Sequence, residues 1–78
     1  MDPRAQLNWV AFLHAMAERT VYFKDDFEDA AFRSGPNGDI YVKLRGKSEF
    51  LSVPGSKLVA EAMLVHDEIT EQEYQAFA

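Results

Sequence analysis

From Asp39 to Arg45 the side chains alternate without a break. Ile40, Val42 and Leu44 fall on one side, Tyr41, Lys43 and Arg45 on the other. Successive strand residues point to opposite faces, so this pattern fits a half-buried β-strand and no helix. Ser34-Gly35-Pro36-Asn37-Gly38 precedes it and Arg45-Gly46-Lys47 follows it, both rich in turn-forming residues. Glu49 to Val53 reads as the returning strand, with Leu51 and Val53 inward and Phe50 and Ser52 outward. Pro54-Gly55 ends it, because proline cannot donate to a ladder. A hairpin with one apolar face is not stable alone in water, so the rest of the chain has to cover it.

The covering elements can be read on either side. Pro3 suits a first helical position, with Asp2 as its cap. From there to about Arg19, helical spacing gathers Trp9, Val10, Phe12, Leu13, Met16 and Ala17 into one stripe. Thr20 to Phe23 is β-branched and aromatic and predicts a short strand; Ala30 to Arg33 predicts another. Ser56 can cap a helix over residues 57–67, with Leu58, Val59, Ala62, Met63, Val65 and Ile69 on its apolar side. Thr70-Glu71-Gln72-Glu73 matches a capping box, so a last short helix restarts there and carries Tyr74 and Phe77. The expected architecture is a single α+β domain over residues 1–78. It has an N-terminal helix, a small three-stranded antiparallel sheet, and one or two C-terminal helices packed on one face.

A chain of 78 residues buries only about 60% of its unfolded surface, so its core must be efficient. One Trp, three Tyr and six Phe supply the means. There is no cysteine, which excludes disulfide staples and zinc–cysteine sites and fits a cytoplasmic setting. No apolar run approaches the roughly 20 residues needed to span a bilayer. The opening Met-Asp-Pro-Arg-Ala does not read as a signal peptide. The expectation is a soluble protein with no membrane association.

Charge is unevenly distributed. Residues 58–78 hold five acids (Glu61, Asp67, Glu68, Glu71, Glu73) and no Lys or Arg, while residues 30–57 carry a net +3. A second acidic cluster, Asp25, Asp26, Glu28 and Asp29, lies between the first two predicted strands. Acids without local bases can serve solubility, or can form a face that docks on a basic surface of a larger protein. The eight candidates for such protein binding are Asp25, Asp26, Glu28, Asp29, Asp67, Glu68, Glu71 and Glu73. An alternative site is Tyr41, Lys43, Arg45, Lys47 and Phe50, where aromatics interleaved with bases could stack on nucleic acid. The net charge of −5 opposes that alternative. A further alternative is a self-associating accessory protein, a homodimer among its forms, with Trp9 or Tyr74 and Phe77 at the seam.

No catalytic, cofactor or metal motif stands out. His14 and His66 lack partners at ligand spacing, and the serines fall at turns, strand positions or a cap. Ser56-Lys57 opens a helix but lacks the spaced glycines of a phosphate loop. In size, acidity and lack of catalytic chemistry, the chain is similar to small phage-encoded inhibitors, including anti-CRISPR proteins. That resemblance implies a non-enzymatic inhibitor that occludes a basic nucleic-acid-handling surface, with no cofactor.

Overall fold

The computed structural model describes residues 3–53, 55–65 and 67–77, with backbone alone for residues 3–8. The expectations at Asp2, Pro54 and His66 lie outside the described residues. The elements run α1 (Pro3–Glu18), β1 (Val21–Asp25), β2 (Ala30–Ser34), β3 (Ile40–Leu44), β4 (Phe50–Leu51), α2 (Lys57–Val65), β5 (Asp67–Ile69) and α3 (Glu71–Ala76). The strands form one sheet in the order β4-β3-β2-β1-β5, with every neighbouring pair antiparallel.

Register explains the main core. Phe23 lies opposite Phe32, and Phe32 opposite Val42, so the three share a face. Val21 and Ala30 join them there, and α1 and α2 cover them with Phe12, Val59 and Ala62. The Phe23 and Phe32 rings stack at 5.0 Å, and Phe12 meets Phe23 edge-on at 5.3 Å. Such pairs contribute about 0.5–1.5 kcal/mol beyond the area they bury. Ser56 caps α2 as expected, its hydroxyl accepting from the Val59 N–H at 3.4 Å.

The structure differs from expectation in four respects, each with a physical reason. First, the sheet has five strands, not three. The helix expected over residues 57–67 ends at Val65, and Asp67–Ile69 pairs with the open edge of β1, Ile69 opposite Tyr22. An unpaired strand edge leaves donors and acceptors exposed, and three residues suffice to occupy it here. Second, the helices lie on both faces. Tyr22, Ala31 and Ile69 make the second face apolar, and α3 covers it with Tyr74 and Phe77. Ala31 is small enough for the Tyr74 ring to lie close to the sheet, and both are fully buried.

Third, β4 sits one residue out of the expected register. Phe50 pairs with Val42 and Leu51 with Tyr41, so Phe50 is on the α1–α2 side and Leu51 on the α3 side. A slip of one residue exchanges the faces of a strand. The bond from the Ser52 N–H to the Ile40 carbonyl, at 2.9 Å, holds this pairing. Fourth, the buried stripe of α1 is narrower than the sequence pattern. Phe12 is buried and Trp9, Ala15 and Met16 pack beside it, whereas Val10, Leu13 and Ala17 are exposed. Val65 is likewise exposed at the end of α2.

Candidate functional site

The β1–β2 connection, Asp26–Asp29, projects from one end of the sheet. Its geometry is set by its own side chains. Asp25 is buried, and its Oδ1 accepts from the Phe27 N–H at 3.0 Å. The Asp29 N–H donates to the Asp26 carbonyl at 3.2 Å. Asp29 adopts a left-handed φ of 51°, which aspartate tolerates better than most residues. Arg45, in the neighbouring β3–β4 turn, then grips both Asp29 carboxylate oxygens, the shortest contact being 2.8 Å. The Arg45 hydrogen bonds hold the Asp29 carboxyl below the usual carboxylate range.

The two acidic clusters meet at Lys24. Its Nζ lies 3.3 Å from Asp26 and 3.8 Å from Asp67. Glu73 also feels Lys24, but its acidity is strengthened chiefly by the Thr70 backbone N–H of the capping box. That box is complete: the Thr70 hydroxyl accepts from the Glu73 N–H and the Glu73 carboxylate accepts from the Thr70 N–H. Glu68 is apart from this group. It pairs in the β5–β1 ladder with Phe23, so it faces the α1–α2 side, where Arg19 bonds it at 3.1 Å. Glu28 and Glu71 are exposed and make no ion pair among the described residues. Exposed ion pairs such as these contribute about 0–1 kcal/mol each, so partners elsewhere could exchange for them.

The basic strand face has a different use. Arg33 lies over the Tyr41 ring at 4.2 Å, Lys43 over Tyr74 at 4.4 Å, and Arg45 over Phe77 at 4.1 Å. The Lys43 Nζ also donates to the Tyr74 carbonyl at 2.9 Å. Beneath this layer the Tyr74 hydroxyl donates to Glu49, which Arg33 also bonds, at 2.8 Å. Arg33 keeps the Glu49 carboxyl low, with Tyr74 adding to it. Burial, and then Glu49, push the Tyr74 hydroxyl up. Lys43 and Arg45 therefore hold α3 and the residue after it, Tyr41 lies under Arg33, and Phe50 is on the other side of the sheet. No shared stacking platform for nucleic acid exists among them; only Lys47 stands clear in its turn. Of the residues expected at a homomeric seam, Tyr74 is 1% exposed and so internal, while Phe77 lies under Arg45 and Trp9 packs on the core, both half-buried.

At the opposite end of the sheet a groove of about 460 Å³ runs between β4 and α2, lined by Ile40, Leu51, Val53, Val59 and Met63 among others. Among the described residues no group of three or more His, Asp or Glu side chains could hold a metal ion. No helix among them is long and apolar enough to cross a membrane.

Residues 12–77 match the family described as Tis1 immunity protein. The chain belongs to the Tis1 immunity protein family. It is also similar to a chain in the crystal structure of the complex between the Type VI effector Tas1 and its immunity protein. The TM-score is 0.73 at 32% identity, covering 81% of this chain and 87% of the other. No curated protein matches. The expectation of a small inhibitory protein binder thus holds at the level of the family, while the likeness to anti-CRISPR inhibitors and the nucleic-acid alternative do not. The family shares their size and inhibitory character, and those general traits carried no motif.

In this immunity-family chain one side chain of the acidic turn went unnoticed in the sequence pattern. Phe27 is 93% exposed, the most exposed large apolar residue described. Its signal was available: an aromatic with two acids on each side has no alternating partner that would carry it into a core.

Proposed function

We propose that this chain is an immunity protein that binds a Type VI effector and blocks it without catalysis. The family match over residues 12–77 carries the reading, and the likeness to a chain from an effector–immunity complex supports a larger protein as partner. Its mechanism is occlusion: a rigid small domain covers a surface that the effector needs. The exposed acids Asp26, Glu28, Asp29, Asp67, Glu68, Glu71 and Glu73 favour a basic surface on that partner, with the unpaired Glu28 and Glu71 free to engage first; Asp25, expected among them, is buried and shapes the turn instead. Affinity then falls as salt rises. A cytoplasmic site of action belongs to the same reading and is checked by fractionation of the producing cells.

The test is co-expression in a bacterial host with Tas1 and with the Tas1-type effector of the strain that carries this chain. Restored growth together with a co-purifying complex supports the proposal. Unrelieved toxicity with both effectors, and no complex with either, overturns it.

A further inference from the structure

We infer that the β1–β2 turn is a preformed docking finger: Phe27 enters an apolar pocket of the inhibited protein, and Asp26, Glu28 and Asp29 meet basic side chains at the rim of that pocket. This rests on the immunity reading above and assigns the contact surface within it.

Phe27 does nothing for the fold. It is 93% exposed and belongs to neither core cluster. Around it, by contrast, three acids of the turn are tied back, and a backbone bond from Asp29 to Asp26 closes it. Asp25 is buried and accepts the Phe27 N–H; Asp26 is held by Lys24, and Asp29 by Arg45. The backbone that carries the ring is therefore fixed before any partner arrives. A ring with two side-chain torsions on a fixed turn loses little further freedom on binding. Aromatics of this kind are typical anchors of protein interfaces.

Charge selects the occupant. Asp26, Glu28 and Asp29 flank the ring, and Asp67 joins them through Lys24. Pushed against a purely apolar wall, these carboxylates would lose water without replacement. Against an anionic surface, whether nucleic acid or acidic lipid, they repel. A hydrophobic pocket with Lys or Arg around its mouth satisfies both the ring and the acids.

The experiment measures affinity for the effector that the wild-type chain neutralises, using wild type, Phe27→Ala, Phe27→Tyr, Glu28→Lys and, at the far end of the sheet, Leu51→Ala. Thermal unfolding is recorded for each. The expected result is a loss of about 30-fold or more in affinity for Phe27→Ala, the size that defines an interface anchor. Its unfolding midpoint stays within about 3 °C of wild type, as for other exposed positions. Phe27→Tyr keeps most of the affinity, Glu28→Lys slows association and flattens its salt dependence, and Leu51→Ala binds as wild type. A Phe27→Ala chain that binds within threefold of wild type overturns the inference and leaves the immunity reading intact. So does sedimentation showing that Phe27→Ala abolishes self-association while effector binding is unchanged. A wild-type chain that neutralises no effector removes both.

Discussion

Replacing Glu49 with Ala should loosen α3 from the sheet by an amount that can be worked from the contacts. The Tyr74 hydroxyl sits in a residue that is 1% exposed and donates to Glu49. Without the carboxylate that donor is orphaned, at about 1–3 kcal/mol. The Glu49–Arg33 pair is lost as well, but both side chains are about a third exposed, so its share is at most about 1 kcal/mol. The expected loss is about 2–3 kcal/mol, which lowers the unfolding midpoint of a domain this size by roughly 10–20 °C. Tyr74→Phe removes the donor itself and leaves Glu49 on Arg33, so it should cost only about 1 kcal/mol. The decisive variant is the double substitution. With no buried hydroxyl to orphan, Glu49→Ala/Tyr74→Phe should be about 1 kcal/mol more stable than Glu49→Ala alone. Urea denaturation of the four proteins measures this. Strict additivity of the single effects would refute the claim that the two groups act as a unit.

The same carboxylate sets part of the response to acid. Its folded-state pKa is lowered, so the stability it contributes is fully present above its unfolded value of about 4.3 and disappears as pH falls through the lowered folded value. Asp29 and Glu73 are shifted in the same direction, so urea midpoints should hold from pH 7 to about 5 and fall below about 4. Glu49→Gln should make that fall shallower, and an unchanged slope would assign the acid response elsewhere. On the α3 side, Ala31→Leu should cost about 1–3 kcal/mol by forcing Tyr74 off the sheet, seen as a lower urea midpoint with loss of the near-ultraviolet tyrosine signal.

What the sequence revealed, and what it hid, follows from the range of the forces involved. The Ile40–Leu44 alternation, the Ser56 cap and the Thr70–Glu73 box rest on interactions within a few residues, and the structure contains all three. β5 was hidden because Asp67–Ile69 is too short to show a period, and its strand identity comes from the open edge of β1. The second apolar face was hidden for a similar reason. Tyr22, Ala31 and Ile69 come from three separated segments, and only pairing brings them side by side. The acids form two clusters in the sequence; register brings Asp26 of one and Asp67 of the other to Lys24, and turns Glu68 to the opposite face beside Arg19. Charge counting drew attention to the carboxylates of the β1–β2 turn and away from the aromatic between them.

The place of β5 also bears on how the chain reaches its native state. β1 to β4 form a meander in which each strand pairs with its sequence neighbour, so these pairings close short loops at small entropic expense. β5 must return across most of the chain to reach β1, bringing Ile69 opposite Tyr22. That closure is costly until the meander offers a formed edge, which makes it the late step of folding. α3 follows directly after β5 and can dock only once that strand is seated. Pulse-labelled hydrogen exchange during refolding should accordingly protect the β2–β3 amides before those of β5. Phe27 stands on the early meander, so the finger takes shape first, and the strand that brings Asp67 to Lys24 arrives last.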